Sequence, residues 1–129
     1  MHKPLSPSGI HPPFAPYSPG IEIVSRSRLV FASGQLGIDK DAMIPGDCAG
    51  QARLAFENIR AILGEAGMDF EHVIKLNAFV TGREHLKPYM DVRNSLFAEP
   101  YPASTLMIVA GFARPEFVVE IEAIAAAPG

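Results

Sequence analysis

Two stretches of the chain carry the three-and-four spacing of apolar residues that marks an amphipathic helix, and they limit the fold more than any other feature. In the first, Ala52, Ala55, Phe56, Ile59, Ile62, Leu63 and Ala66 recur between a capping Asp47 and Gly67, which predicts a helix over residues 48–66. In the second, Leu86, Met90, Arg93 and Phe97 form one stripe, predicting a helix over 84–97 that ends before the breaker run EPYP. Strands fill most of the remainder. Residues 21–24 (IEIV) and 29–33 (LVFAS) read as a hairpin around SRSR, and 73–81, 103–110 and 117–126 read as three further strands. The order is hairpin, helix, strand, helix, strand, strand. This is an α+β arrangement, and two helices can cover one face of its sheet but not both.

The uncovered face is mixed in character. Along VVEIEAIA, residues 118–125, Val119, Ile121, Ala123 and Ala125 share one side, while Val118, Glu120, Glu122 and Ile124 share the other. Along VIKLNAFVT, residues 73–81, Ile74, Leu76, Ala78 and Val80 suit the helix layer and leave Lys75, Asn77, Phe79 and Thr81 opposite. A surface of that kind is too polar for a sealed core and too apolar for free solvent. Copies of the chain packed around a shared interior, with clefts between subunits, satisfy both conditions.

A chain of 129 residues is expected to form a single domain over 1–129 that buries roughly two thirds of its unfolded surface. One cysteine, Cys48, excludes an internal disulfide framework and a multi-thiolate metal site within one chain, so a reducing compartment, the cytoplasm, is expected. No signal-peptide core and no run of ~18 apolar residues is present, so no membrane association is expected. The net charge of -3 arises from scattered Lys and Arg, without the basic footprint that polyanion binding requires. Pro4, Pro7, Pro12, Pro13, Pro16 and Pro19 make residues 1–20 an extended, irregular segment. Ile10, Phe14, Tyr17 and Ile21 are expected to pin it across the domain.

Six motifs, in order and spacing, resemble the Rid family, also called YjgF-like and labelled endoribonuclease L-PSP. They are APYSPG at 15–20, ASGQLGID at 32–39, ENIRAILGEAG at 57–67, VIKLNAFVT at 73–81, EPYPAS at 99–104 and VEIEAIA at 119–125. The resemblance implies a chorismate-mutase-like fold, a sheet backed by two helices on one face, assembled as a homotrimer whose sheets form a central barrel. Ligand clefts would lie between neighbouring subunits. In the best-known branch the activity is hydrolysis of reactive enamines and imines to a keto acid and ammonia, without metal or organic cofactor.

Residue by residue, Glu122 matches the second glutamate of the family's EIEA motif, which holds a water near the imine carbon. An iminium carbon is already electrophilic, so a positioned water and a proton acceptor suffice. Tyr17 looks like the family's pocket tyrosine, with an ordinary packing aromatic as the alternative. Ser33 and Gly34 match the strand end that lines the cleft, where the alternative is a plain turn. Glu120 reads as structural.

The departure lies after Pro102 and Ala103, where the deaminase branch has an arginine that clamps the substrate carboxylate and this chain has Ser104. A hydroxyl cannot neutralise a carboxylate, so amino-acid-derived imines are expected to bind poorly. Thr105 and Leu106 follow it and make the pocket less polar. The family's helical asparagine has no match: Met90 stands in its place, with Asn94 a turn away. Arg114 and Lys75 are candidate replacement cations. Cys48 reads as a buried small residue, and His2, His11, His72 and His85 lack metal-ligand spacing.

The leading expectation is an enamine or imine hydrolase with altered substrate preference, in which Glu122 positions water and Tyr17, Ser33, Gly34, Ser104 and Leu106 shape a pocket for a small molecule. A non-catalytic trimeric small-molecule-binding protein is the alternative. The ribonuclease of the older label is disfavoured by the acidic charge balance.

Overall fold

A computed structural model of the chain describes residues 2–129. Six strands and two helices alternate as β1 (His2–Leu5), β2 (Gly20–Ile23), β3 (Ser27–Leu36), α1 (Cys48–Gly64), β4 (Val73–Val80), α2 (Leu86–Leu96), β5 (Ala103–Ile108) and β6 (Val119–Pro128), with short 3-10 turns at Phe70–His72 and Arg83–His85. The main sheet has the order β3-β6-β4-β5. Its β3/β6 and β6/β4 pairs are antiparallel, whereas β4 and β5 run parallel. A parallel neighbour requires a crossover, and α2 supplies it.

The capping signals act as read. Asp47 accepts a hydrogen bond from the Gly50 N–H at 3.1 Å, and the Met68 and Gly67 N–H groups return to the Leu63 and Gly64 carbonyls. These are the paired closing bonds of a Schellman motif, with Gly67 at φ +70 where a side chain would be strained. From α1, Ala52, Ala55, Phe56, Ile59 and Leu63 are buried against Leu76, Ala78 and Val80 of β4 and Val119, Ile121, Ala123 and Ala125 of β6. Phe56 lies at the centre, stacked on Tyr89 at 6.0 Å and edge-on to Phe97 at 5.6 Å.

Four expectations need correction. The predicted hairpin does not form, because β2 pairs antiparallel with β1 in a separate two-stranded sheet while β3 pairs with β6. No tight-turn dipeptide links β2 to β3, so local sequence did not fix the partner of either strand. The N-terminal segment is not wholly irregular, and its anchor is different: Ile10 and Phe14 are exposed, whereas Ser18 bridges to Ala103 and donates its N–H to the Pro102 carbonyl at 3.1 Å. The second helix opens as a 3-10 turn, and Tyr89, Val92 and Arg93 are its buried residues, with Leu86 and Met90 only partly covered. Stacking of Tyr89 on Phe56 turns that face inward. In β4, a register irregularity between Val73 and Lys75 places Val73 rather than Ile74 in the core.

Candidate active site

The two faces of β6 separate as the alternation requires. Val119, Ile121, Ala123 and Ala125 are buried under the helices, and Glu120, Glu122 and Ile124 lie on the open face. Register then determines what surrounds Glu122. On the β4 side its partner is Asn77, whose Nδ2 donates to Glu122 Oε1 at 3.0 Å. On the β3 side the ladder pairs Ala32 with Ala123 and Gln35 with Ile121, so Ser33 and Gly34 together oppose the single residue Glu122. Two residues against one is a β-bulge, which breaks the ladder locally and re-aims side chains. Glu122, Asn77, Ser33, Ala32, Phe31, Ala123 and Ile124 line an open cleft of about 200 Å³.

Gly34 is close to a carboxylate other than that of Glu122. A Cβ built there would lie 2.7 Å from the Glu120 carboxyl carbon, so the missing side chain makes room for Glu120. Asn77 was not singled out as a functional residue from sequence. The signal was present in the alternation that placed Asn77 and Glu122 on one open face, but only the β4/β6 register makes them partners.

Ser104 and Leu106 do not share that cleft within one chain. Ser104 pairs with Leu76 and Leu106 with Ala78, on the helix-covered face, while Ala103, Thr105 and Met107 join Lys75, Asn77 and Phe79 on the open one. Ser104 Oγ accepts a hydrogen bond from Arg93 Nη1 at 3.3 Å beneath α2. Tyr17, half-buried, precedes the Ser18 bridge along the outer edge of β5, near Ser104 and away from Glu122. The sheet itself therefore separates the predicted pocket residues into two groups: Ser33 and Glu122 on one face, and Tyr17, Ser104 and Leu106 at the β5 edge and the opposite face.

Neither candidate cation stands beside Ser104. Arg114 pairs with Glu116 at 2.6 Å on an exposed loop, and Lys75 donates to Thr105 Oγ1 at 2.7 Å on the open face. Cys48 is buried at the α1 start with its Sγ against the His85 carbonyl. Burial, reinforced by the neighbouring Asp47 charge, pushes its thiol up to about 11, the reverse of activation at a helix N-terminus. Among the described residues no three His, Cys, Asp or Glu side chains converge as a metal site, and no helix is long and apolar enough to cross a membrane.

A four-stranded sheet with two helices on one face and a carboxylate-bearing cleft on the other defines a class of small α+β proteins. The family described as Endoribonuclease L-PSP matches residues 9–127, and the chain belongs to that family, whose members also carry Rid and RutC names. It is 37% identical over 124 residues to the RutC family protein YjgH of Escherichia coli, covering 95% of this chain and 92% of that one. It is 30% identical over 126 residues to the 2-iminobutanoate/2-iminopropanoate deaminase of Dermatophagoides farinae, covering 96% and 92%. Among solved structures, the Rid family protein YyfB of Yersinia pestis gives a TM-score of 0.86 at 23% identity with 98% of both chains covered, a likeness of fold.

Proposed function

We propose that the protein is an enamine or imine hydrolase with a substrate preference altered by Ser104, acting as a homotrimer whose clefts take a small molecule. The observation that carries this reading is the Glu122 carboxylate, held by Asn77 and faced by the Ser33–Gly34 bulge on an open sheet surface. The deaminase name of a relative 30% identical supports the reaction class.

In this reaction the oxygen of a water held by Glu122 adds to the imine carbon. The water's first proton passes to the carboxylate and on to the imine nitrogen, giving a carbinolamine; its hydroxyl proton then follows the same route to nitrogen as the C–N bond breaks, leaving a carbonyl and ammonia. No electrons enter or leave, so no redox cofactor is required. General base catalysis by a positioned carboxylate contributes about 10²- to 10⁴-fold.

Two observations support the oligomeric part of this reading. Leu29, Phe31 and Met107 are exposed on the open face, a surface that monomers seldom leave uncovered. The sheet also separates Glu122 from Ser104, so a cleft holding both draws them from different copies. Hydrolysis is tested by ammonia release from a panel of freshly generated imines, comparing the protein with Glu122→Ala. The variant is expected to lose at least 100-fold; equal rates across the panel would overturn the assignment. Ligand binding without turnover by the unmodified protein would favour the non-catalytic reading that Ser104 motivates.

A further inference from the structure

The Ser104 hydroxyl cannot hold a carboxylate by itself, yet a guanidinium lies against it. Arg93, in the last turn of α2, is only 4% exposed, and no ion pair among the described residues includes it. Its partners are neutral. Nη1 donates to Ser104 Oγ at 3.3 Å, while Nε and Nη2 both donate to Asn94 Oδ1, at 3.2 and 3.1 Å. Three of the five N–H groups a guanidinium carries are thus accounted for, all by uncharged acceptors. The guanidinium carbon also lies 5.9 Å from the centroid of the Tyr89 ring, and the fully buried Tyr89 hydroxyl has no hydrogen-bond partner of standard geometry.

This cluster is rich in donors and poor in acceptors. A buried cation without an anion is costly to fold, and replacing one with an apolar side chain is often neutral or stabilising. Retaining it requires compensation. The Nε–Nη2 edge, where Asn94 Oδ1 accepts twice, is the fork that a carboxylate fits with two oxygens. Asn94 is exposed, so its side chain can turn away and give both bonds to a charged acceptor.

We infer that Arg93, with the Ser104 hydroxyl, is the group that binds the carboxylate of the ligand in this protein. The positive charge on which the deaminase branch relies at position 104 is here supplied from α2 and reaches the same point from behind the strand. The ligand is accordingly a small carboxylate, and the altered preference concerns where that carboxylate sits rather than whether one is accepted. This rests on the proposed cleft being the ligand site, but not on Glu122 being catalytic.

Calorimetry with pyruvate and its neutral analogue pyruvamide tests it on the full chain. Pyruvate is expected to bind more tightly than pyruvamide. Arg93→Met should weaken pyruvate at least tenfold, leave pyruvamide unchanged, and keep or raise the thermal midpoint, whereas a merely structural arginine would lower that midpoint. Ser104→Asp is a second route, since the new carboxylate pairs with Arg93, preserves the fold and should abolish pyruvate binding. Calorimetry reads binding and not ammonia release, so its outcome is separate from that of the catalytic assignment. Equal affinity for the two probes, undiminished pyruvate binding in Arg93→Met or in Ser104→Asp, or a lowered midpoint in Arg93→Met would overturn it.

Discussion

Asn77 and Glu122, 45 residues apart in sequence, meet side by side on the open face of the sheet, with Asn77 Nδ2 donating to Glu122 Oε1 at 3.0 Å. Their meeting depends on β4 and β6 pairing in one register. A slip of one residue would move either side chain to the helix-covered face. The alternation that buries Ile121 and Ala123 therefore also presents the carboxylate, linking core packing directly to the site.

In the proposed hydrolysis Asn77 acts through Glu122, as a positioning residue. Asn77→Ala leaves the carboxylate free to swing, and a hydrogen bond to a charged group is worth about 1.5–3 kcal/mol. Turnover on the best imine should fall roughly 10- to 100-fold with KM little changed. Steady-state kinetics reads both values, and a change confined to KM would place Asn77 in binding instead.

Gln51 ties the turn at Pro45 to the Glu116–Val118 stretch and should be the most sensitive polar position in the core. Its Nε2 donates to the Pro45 and Glu116 carbonyls at 3.0 and 2.8 Å, and its Oε1 accepts from the Val118 N–H at 3.0 Å. Gln51→Leu leaves those three backbone groups unpaired, each costing about 1–3 kcal/mol if it stays buried. A fall of roughly 10 °C in Tm is expected by scanning calorimetry. Because Val118 leads into β6, imine hydrolysis should decline with it.

Cys48 supplies a pH dependence whose sign is determined by burial. Its thiol, pushed up to about 11 in the folded chain, ionises later than it does in the unfolded chain. The protonated form thus stabilises the fold fully below about pH 9, the unfolded thiol's range, and that contribution is lost as pH rises through about 11. Urea midpoints measured between pH 8 and 11 should decline more steeply for the protein than for Cys48→Ala. Thiol reagents at pH 7 should label Cys48 only as fast as the helix start opens.

The reach of the sequence reading follows physical range. Helix α1 and the two faces of β6 were legible because a period of 3.6 or 2 and a cap are local properties. Gly67 and Asp47 act where they were expected to act. The β1/β2 pairing was not legible, since strand partnership depends on chain segments far apart and no turn signal marked it. The inward turn of Tyr89 was hidden for a similar reason: an aromatic residue on α2 is drawn in by Phe56 on α1, a contact that neither helix announces alone. Glu122 and Ser33 lie on one open face, opposed across the β3/β6 ladder. Ser104 could not be assigned to a face without the β4/β5 register, and Arg93 was read only as part of an apolar stripe. Its lack of an anionic partner becomes visible in three dimensions.

Closure of the open face by further copies of the chain would place Glu122 in a cleft instead of on a free surface. Sedimentation velocity at micromolar concentration tests this directly. A single species of three times the 13.9 kDa chain mass is expected, whereas a folded species of one chain mass would contradict it.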